Sequence, residues 1–332
     1  MSAYIIGSGV CLPDRVVTNE ELAAKLGLEP ERIHKSSGIK RRRWADPKAL
    51  TSTLAACALE HALADAKINA DQIDYLLFGT MTPDRFIPGS ASAVQTNVGL
   101  REIPCLDIRA ACCNSLYGLQ LARALILSSA ASHVAICTAE IQSRHLDLSP
   151  ESAAMSMLFG DGASALIVSA APGPNAIEIL DVHLSTDGAL RDDLGIRCPG
   201  TEFGTAPALG ETSAADFVPR MNGQSVILQA SRRIVAASRT LLERNQLTTR
   251  DIRWIVPHQA NANLLAQIAR GLEFSPTDRV VSVIEDFGNT SSASMGIALD
   301  FLRRTGRIER GDYLLLPAFA AGFTWGTALG RA

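Results

Sequence analysis

Residues 105–128 read CLDIRAACCNSLYGLQLARALILS, and this stretch decides the fold. It continues an apolar run from Ile103 to Ile108 that is short, as is typical of a buried strand. After Arg109-Ala110-Ala111 the apolar residues change to the spacing of a helix. They are Leu116, Leu119, Leu121, Ala122, Leu125 and Ile126. The stretch therefore predicts a buried strand, a sharp turn and a mostly buried helix.

Cys112 lies where the period changes, at the first turn of the predicted helix. Unpaired backbone N–H groups and the positive end of the helix dipole favour a thiolate over a thiol at such a position. A strand-to-helix corner also directs the side chain toward a pocket. The alternative is that Cys112 is a small core residue, which is the usual role of a free cysteine. Both interpretations stay open on this stretch alone.

Length and composition limit the class of protein. A chain of 332 residues is long enough for about two domains or one large double unit. Hydrophobic residues make up 47% and charged residues 20% of it, which favours a well-buried globular enzyme over a disordered or fibrous protein. The formal net charge of −3 gives no bulk attraction to nucleic acid.

The cysteines and the apolar runs bear on cellular location. Seven cysteines, an odd number, lie mostly in apolar runs, with neither a CxxC pair nor the Cys/His spacing of a zinc site. We therefore expect a reducing compartment and no metal. Residues 1–12 lack the basic start of a signal peptide, and no apolar run reaches membrane-spanning length. The expectation is a cytoplasmic protein that binds neither membrane nor nucleic acid.

Two further stretches have no regular period. Lys40-Arg41-Arg42-Arg43, beside Trp44, is either a solvated face or a patch that holds an acidic cofactor or partner. The segment from Asp187 to Asp216 is rich in Gly, Pro, Thr and Ala. It predicts an irregular excursion between two halves of the chain.

The second half of the sequence repeats the pattern of the first. Residues 251–257 parallel residues 71–77, each a short acidic lead-in to an apolar strand. Residues 287–299 parallel the strand–turn–helix unit that contains Cys112. Strands that alternate with helices in two copies predict a duplicated α/β unit with buried strands.

Two polar residues of the second half occupy positions like that of Cys112. His258 lies in VPHQAN directly after a predicted strand, and Asn289 lies in FGNTSSAS, a glycine turn at a helix start. Their structural alternatives are a hydrogen-bonded core histidine and a helix-capping or turn residue. However, all three side chains stand at strand ends, where α/β folds form their clefts.

The duplication divides the chain into two expected halves. Residues 1–172 carry Cys112, and residues 173–332 carry His258 and Asn289. A two-fold repeat places the corners at Cys112 and Asn289 opposite each other across a shared cleft. The sequence thus predicts that these three side chains converge.

Cysteine, histidine and asparagine together suit the transfer of an acyl group through a thioester. A thiolate attacks the acyl donor and holds the acyl group as a covalent intermediate. A second substrate, a malonyl-type thioester, can then lose carbon dioxide and become an enolate. The Nε2–H of His258 and the amide of Asn289 are neutral donors suited to the charge on its thioester oxygen.

The sequence resembles the β-ketoacyl-acyl-carrier-protein synthase III family of thiolase-fold condensing enzymes over nearly the whole chain. The resemblance rests on five motifs in family order and with about the family spacing. They are Asp107-Ile-Arg-Ala-Ala-Cys112, Phe159-Gly-Asp-Gly-Ala163, Val256-Pro-His-Gln-Ala-Asn261, Gly288-Asn-Thr-Ser-Ser-Ala293 and Gly322-Phe-Thr-Trp-Gly326. It implies an α/β protein with a thiolase-like, duplicated five-layer αβαβα fold that forms a homodimer.

The resemblance also implies roles for individual residues. Cys112 would be the nucleophile, and His258 and Asn289 would be the decarboxylation pair. An oxyanion hole for the acyl group would come from the backbone N–H groups of Cys112 and Ala321. The implied substrate-binding residues are Ile87, Phe159, Asn261 and Phe323. No cofactor or metal is implied, since CoA and acyl-carrier-protein thioesters are the substrates.

The implied activity is that of a 3-oxoacyl-acyl-carrier-protein synthase III. An acyl group from acyl-CoA or another thioester is loaded on Cys112 and condensed with malonyl-acyl carrier protein, with loss of carbon dioxide. One alternative is a specialised relative that passes the acyl group to an alcohol, an amine or an unusual thioester. Another is a non-catalytic partner subunit, but such subunits lack the nucleophile that this chain keeps.

Several positions depart from the family pattern. The usual Gly-Gly-Gly-Phe loop reads Ala320-Ala321-Gly322-Phe323, so a positive φ at Ala321 would be strained. Arg32 and Ala153 stand near the positions of the Trp and Arg that stack the CoA adenine, and Asn263 replaces an Arg that helps dock carrier protein. The basic residues left for carrier protein include Arg232, Arg233, Arg239 and Arg270. Ile87 is smaller than the aromatic residue that often closes the acyl pocket.

Overall fold

The structure is a computed structural model that describes residues 1–201, 216–274 and 277–332. Its strands are β1 (Tyr4–Cys11), β2 (Val16–Thr18), β3 (Arg41–Arg43), β4 (Tyr75–Gly79), β5 (Cys105–Ile108), β6 (His133–Glu140), β7 (Gly162–Ser169), β8 (Ile177–Thr186), β9 (Leu194–Gly195), β10 (Arg220–Met221), β11 (Ile252–Ile255), β12 (Tyr313–Ala320) and β13 (Thr324–Arg331). Its helices are α1 (Asn19–Leu26), α2 (Pro30–Ser37), α3 (Thr51–Ala66), α4 (Ala91–Val98), α5 (Asn114–Leu127), α6 (Ala153–Ser156), α7 (Gly223–Arg244), α8 (Ala262–Gly271), α9 (Ile284–Phe287) and α10 (Ser294–Arg304).

The long strands of the described chain form one sheet in the order β11-β12-β13-β8-β1-β7-β6-β4-β5. The strands β5, β4 and β6 run parallel, whereas β7 and β1 continue the sheet antiparallel. The two sequence halves join where Tyr4 and Ile5 of β1 pair with Glu178 and Ile177 of β8. The sheet continues across this junction without a break. The division of the chain into halves 1–172 and 173–332 therefore stays a prediction.

The helices form three layers around the two parts of the sheet. In the first outer layer α3 packs on β1, β7 and β6, and in the second α7 packs on β13, β12 and β8. Between them, α5 contacts β4 and β6 as well as β8 and β13, and α10 contacts β1 and β7. This succession of layers is the five-layer αβαβα thiolase fold, which confirms the prediction.

The middle layer is built from the residues that the sequence predicts. The α5 residues Leu116, Leu119, Ala122 and Ile126 are each at most 1% exposed. They share one apolar cluster with residues of α10, β12 and β13. Burial of a leucine or isoleucine side chain stabilises a fold by about 1.5–3 kcal/mol, so this helix is fixed mainly by packing. Of the apolar residues predicted to line this helix, only Leu121 is exposed, at 37%.

The two predicted corners meet in this layer. One-turn 3₁₀ helices at Ala111–Cys113 and Ser291–Ala293 lead into α5 and α10. Ala111 and Ser291, at equivalent places in these turns, have φ values of +49° and +48°. The Ser115 hydroxyl donates to the carbonyl of Ser292 at 2.9 Å. The duplication inferred from the sequence therefore has a structural counterpart at the centre of the molecule.

Three sequence expectations need correction. Strand β5 is an edge strand with Leu106 41% exposed, so it is not buried within this chain. Cys11 and Cys57 form a disulfide with a Cα–Cα distance of 5.8 Å, a pairing that is not expected in the reducing compartment that the sequence indicated. The segment after Asp187 is partly regular, because β9 pairs with β10; its residues 202–215 lie outside the described residues.

Within residues 1–201, 216–274 and 277–332, no helix combines the length and the apolar character needed to cross a bilayer.

Candidate active site

Cys112 lies in the turn that begins the buried middle layer. The turn Ala111–Cys113 packs against the carboxyl end of β12. The sulfur of Cys112 lies 3.5 Å from the hydroxyl oxygen of Ser291, which belongs to the opposite corner. The side chain is half-buried, so it keeps contact with solvent while protein atoms surround most of it.

His258 follows β11 and is held by both its backbone and its ring. Its backbone N–H donates to the carbonyl of Pro317 at 2.9 Å. Its Nδ1 lies 2.6 Å from the Ser294 hydroxyl, which also accepts from the backbone N–H of Gln259 at 3.1 Å. A hydroxyl that accepts one bond still has a proton to donate, and Nδ1 is the acceptor beside it. We therefore assign the ring proton to Nε2.

Burial controls the charge of this histidine. The His258 side chain is 6% exposed, and burial lowers its pKa to about 4. The ring is therefore neutral at neutral pH. A neutral imidazole with its proton on Nε2 is a hydrogen-bond donor, which is the form that the sequence-based chemistry requires.

Asn289 is fixed by backbone bonds on both sides. Its N–H donates to the carbonyl of Leu158 at 2.8 Å, and its carbonyl accepts from the N–H of Gly160 at 3.0 Å. Its side-chain Oδ1 accepts from the backbone N–H of Ser291 at 2.8 Å. Because the amide oxygen is engaged inside the turn, Nδ2 is left as the group that can donate to a ligand.

Two glycines allow this close approach of backbones. A Cβ built on Gly160 would lie 2.2 Å from the carbonyl oxygen of Phe287, and one on Gly288 would lie 2.9 Å from that of Leu158. Gly288 also has a φ of +66°, which an L-residue rarely adopts. The FGDG and GNTS motifs are therefore two sides of one backbone contact that positions Asn289.

Within the basic run 40–43, Lys40 and Arg41 are exposed to solvent, whereas Arg42 is buried and supports this contact. Arg42 is fully buried, and its guanidinium donates to Asn19 Oδ1 at 2.9 Å and to the carbonyl of Met157 at 3.0 Å. A Cβ built on Gly160 or Gly288 would lie 3.2–3.3 Å from Arg42 Cβ, so this residue packs beneath both glycines. Burial lowers the pKa of Arg42 to about 10.

Arg42→Ala is expected to lower the free energy of unfolding by about 2–4 kcal/mol, because it leaves buried acceptors without a donor. The matched control is Arg41→Ala. Arg41 pairs with Asp286, but its side chain is 55% exposed, so its loss should change stability by less than about 1 kcal/mol. Urea unfolding monitored by circular dichroism measures both. Equal losses for the two variants would contradict this role of Arg42.

One short segment links the three predicted residues. Asn289 lies at its start, Ser291 contacts the sulfur of Cys112, and Ser294 contacts the ring of His258. Asn289 and His258 are each 6% exposed. The six residues from 289 to 294 thus touch or contain every member of the predicted group, which no single local sequence motif reveals.

The state of the sulfur differs from expectation. Burial raises the pKa of the Cys112 thiol to about 11, and the hydrogen bond from Ser291 only partly opposes this. At neutral pH the resting side chain is therefore a thiol, and the sequence-based prediction of a stabilised thiolate is wrong for this state. Removal of solvent outweighs the helix dipole here.

The loop after β12 contains Ala321, whose backbone N–H is the second predicted part of the oxyanion hole. Ala321 does not have a positive φ, so the strain expected at this position is not found; Gly322 instead has a φ of +137°. Backbone hydrogen bonds of 2.9 Å in both directions tie Phe323 to Asp187. The loop is therefore held against the end of β8 without strain at Ala321.

The residues expected to bind substrate are not all brought together. Phe159 is half-buried and its backbone pairs with Asn289. Phe323 is fully buried, with its ring centroid 4.7 Å from that of Phe319. Asn261 caps α8, where its Oδ1 accepts from the N–H of Asn263. Ile87 is 80% exposed on the loop before α4, so it does not line a cavity of its own chain.

Sequence reasoning missed two polar residues at the site, Ser291 and Glu140. Ser291 lies in the motif Gly288-Asn-Thr-Ser-Ser-Ala293, but its residue type and position do not by themselves indicate a role. Glu140 ends the apolar strand β6 and is fully buried. A lone acidic residue at the end of an apolar strand is the only local signal that could have indicated it.

Comparisons with known proteins find one family, and the curated relatives match over nearly the full chain. Residues 106–188 match the family described as 3-Oxoacyl-[acyl-carrier-protein (ACP)] synthase III, and residues 242–332 match the family of its C-terminal part. The beta-ketoacyl-[acyl-carrier-protein] synthase III of Alkalilimnicola ehrlichii is 39% identical over 99% of both chains. That of Methylococcus capsulatus is 36% identical over the whole of both.

Solved structures give the same result. The crystal structure of 3-oxoacyl-[acyl-carrier-protein] synthase III from Aquifex aeolicus superposes with a TM-score of 0.90 at 31% identity, and covers 99% of this chain and 100% of the other. The fold, with a cysteine at the start of its central helix, defines a thiolase-fold condensing enzyme, a class of acyltransferase. The chain belongs to the 3-oxoacyl-[acyl-carrier-protein] synthase III family.

Proposed function

We propose that this enzyme loads an acyl group from acyl-CoA onto Cys112 and condenses it with malonyl-acyl carrier protein. The observation that carries the proposal is the single segment 289–294, which contains Asn289 and contacts both Cys112 and His258. Membership of a family whose members are named for this synthase activity supports the same reaction.

The first half-reaction is a transfer between thioesters. The sulfur of Cys112 attacks the carbonyl carbon of the acyl-CoA, the bond from that carbon to the CoA sulfur breaks, and the thiol proton leaves with CoA. The negative oxygen formed on the way would be stabilised by the backbone N–H groups of Cys112 and Ala321. Because burial favours the thiol form of Cys112, the proton leaves only as the new bond forms.

The second half-reaction begins with the loss of carbon dioxide. The bond between the malonyl carboxylate and its neighbouring carbon breaks, and the electron pair forms an enolate on the thioester oxygen. The Nε2–H of His258 and the Nδ2–H of Asn289 are the proposed donors to this oxygen. The enolate carbon then attacks the acyl carbon on Cys112, the bond from that carbon to the Cys112 sulfur breaks, and the thiolate that is released takes a proton from solvent.

Acyl carrier protein is the proposed partner in this step. Two of the candidate basic residues are occupied: Arg233 pairs with Asp187 at 2.6 Å, and Arg239 pairs with Glu273 at 3.1 Å. Arg232 and Arg270 are exposed on α7 and α8. We therefore assign the attraction of an acidic carrier protein to Arg232 and Arg270.

We also propose that the enzyme works as a homodimer in the cytoplasm. In the sheet of the described residues, strand β5 lies at the edge with Leu106 exposed, and the neighbouring loop exposes Phe86 by 71% and Ile87 by 80%. An open edge strand beside exposed apolar side chains is suited to pairing with a second copy. In such a dimer Ile87 would reach the acyl pocket of the partner rather than its own.

Leu106→Arg is expected to convert the wild-type dimer into monomers, because it places a charge in the proposed interface. Leu228→Arg is the matched control, since Leu228 is 56% exposed on α7, away from β5. Sedimentation equilibrium measures the mass of each. A monomeric wild type, or a Leu106→Arg variant that is still a dimer, would contradict the proposal.

The test of the function combines both substrates. Incubation of the enzyme with a panel of acyl-CoA thioesters and malonyl-acyl carrier protein should yield 3-oxoacyl-acyl carrier protein and one carbon dioxide for each product. Acyl transfer to an alcohol or amine without carbon dioxide release would instead support the specialised alternative, which the present relatives do not favour. Absence of any acyl-enzyme with any thioester would contradict both.

A further inference from the structure

Glu140 is a buried acid that the proposed chemistry does not use. It ends strand β6 and is fully inaccessible to solvent. In the described part of the chain, the hydrogen bonds to its carboxylate come from neutral groups. They are the N–H of Met81 (3.1 Å), Thr82 Oγ1 (3.1 Å), Gln142 Nε2 (3.2 Å), Ser291 Oγ (3.3 Å) and Ser292 Oγ (2.6 Å). Five hydrogen-bond donors surround this carboxylate beside the turn that contains Ser291, so its buried polar atoms are fully engaged.

Ser291 connects this carboxylate to the nucleophile. Its Oγ lies 3.3 Å from Glu140 Oε1 and 3.5 Å from the sulfur of Cys112. A hydroxyl has a single proton, so it can donate to only one of these neighbours at a time. The two neighbours therefore compete for one proton.

The charge of Glu140 decides this competition. When the carboxylate is ionised, it accepts the Ser291 proton, and the Cys112 thiol can only donate to the serine oxygen. When the carboxyl group is protonated, Ser291 is free to donate to a thiolate. We propose that Glu140 acts through Ser291 as a positioning residue, which holds Cys112 as a thiol when ionised and favours the thiolate when neutral.

Both forms of Glu140 are accessible near neutral pH. Burial raises the pKa of this carboxyl group to about 7, although the hydrogen bonds from Ser292, Met81, Thr82 and Ser291 oppose the shift. The surrounding elements bring few other charges. The turn before α5 brings Cys112 and Cys113, whereas β7 and the turn Ser291–Ala293 bring no titratable side chain.

The remaining titratable groups on the packed elements are directed elsewhere. Tyr75 lies at the far end of β4. Most of the others bond to groups away from Glu140 or face solvent: His61 to Val10, Asp65 to Arg303, Asp84 to Ser52, Tyr117 to Thr324, Arg123 to Ile179, Arg144 to Ala49, Asp161 to Ser143, and Glu60 and Arg85 exposed. His133 lies at the far end of β6, and burial raises the pKa of Cys137 on the same strand, which keeps it a thiol. His145 ends the turn Gln142–His145, where burial and the charge of Arg144 lower its pKa. Glu140 is therefore the charge that faces the Ser291–Cys112 pair.

The test measures the reactivity of Cys112 directly. The rate of its alkylation by iodoacetamide, followed by peptide mass spectrometry from pH 5.5 to about 10, reports the thiolate fraction. The wild type should show a shoulder near pH 7, where ionisation of Glu140 disfavours the thiolate. Glu140→Gln should lose the shoulder and react about tenfold faster above it, which corresponds to about one pKa unit.

The double variant separates the proposed route from a direct effect of charge. In Ser291→Ala the shoulder should shrink, and adding Glu140→Gln to it should change the rate much less than tenfold. Ser292→Ala is the matched control, because Ser292 donates to Glu140 without contacting Cys112 in the structure. Its shoulder should persist and move to higher pH, since the carboxylate loses a donor.

Three results would overturn the proposal. They are an unchanged or slower rate in Glu140→Gln, an equal effect of that substitution in the Ser291→Ala background, and a wild-type profile without a shoulder. If Glu140→Gln fails to fold by circular dichroism, the profiles of the wild type and Ser291→Ala decide alone. The inference rests on the proposed role of Cys112, but alkylation needs no substrate, so it can fail or succeed independently of that role.

Discussion

Cys112→Ala is expected to gain no mass on incubation with acyl-CoA, whereas the wild type gains one acyl group on Cys112. The reason is that the acyl group must wait as a thioester, and the sulfur of Cys112 is the half-buried thiol at the start of the central helix. Intact-protein and peptide mass spectrometry measure the adduct. Condensation activity should fall to the level of the reaction without enzyme.

Cys113→Ala is the matched control for this loss. Its sulfur is buried and donates to the carbonyl of Thr324 at 3.5 Å, so the neighbouring thiol serves packing rather than chemistry. This variant should still be acylated, with at most a moderate loss of stability. An acyl adduct on the Cys112→Ala variant, or loss of acyl loading only in the Cys113→Ala variant, would contradict the assignment of Cys112 as the nucleophile.

Asn289→Ala should separate the two half-reactions. Acyl loading of Cys112 should continue at close to the wild-type rate, because the proposed acyl oxyanion hole consists of backbone N–H groups. Release of carbon dioxide from malonyl-acyl carrier protein should fall about 10²–10³-fold, since one of two donors to the enolate is lost. Radiolabelled malonyl carrier protein provides the measurement.

Asn245→Ala is a suitable control, because Asn245 has no assigned role in the site and caps the end of α7, where its side-chain amide donates to the carbonyl of Leu241 at 2.8 Å. Loss of this hydrogen bond should cost about 1 kcal/mol of stability and leave carbon dioxide release intact. If Asn289→Ala released carbon dioxide at the wild-type rate, the assignment of Asn289 as an enolate donor would be wrong.

The sequence predicted the fold because its signals were local. The spacing of apolar residues changes from a strand period to a helical period at Cys112, and the same pattern recurs at Asn289. These two changes located the corners that meet in the middle layer. The same change of period predicted α5, whose apolar positions are buried. Gly160 and Gly288 both lie in family motifs, and the structure gives the reason: a side chain at either position would collide with backbone.

What the sequence did not predict depends on contacts between distant segments. Arg42 reads as part of an exposed basic run, yet β3 places it beneath the two glycine turns. The pairing of Cys11 with Cys57 requires that α3 packs on β1. The pKa of Cys112 follows from the number of protein atoms around it, which spacing along the chain does not encode.

The central claim is that Cys112, His258 and Asn289 act on one thioester. A single-turnover experiment tests it most directly: the wild type is loaded with a ¹³C-labelled acyl-CoA, freed of excess substrate and mixed with malonyl-acyl carrier protein. The account predicts that the label leaves Cys112 and appears in 3-oxoacyl-acyl carrier protein, with one carbon dioxide released for each label. Release of carbon dioxide while the label stays on Cys112, or transfer of the label without carbon dioxide, would contradict it.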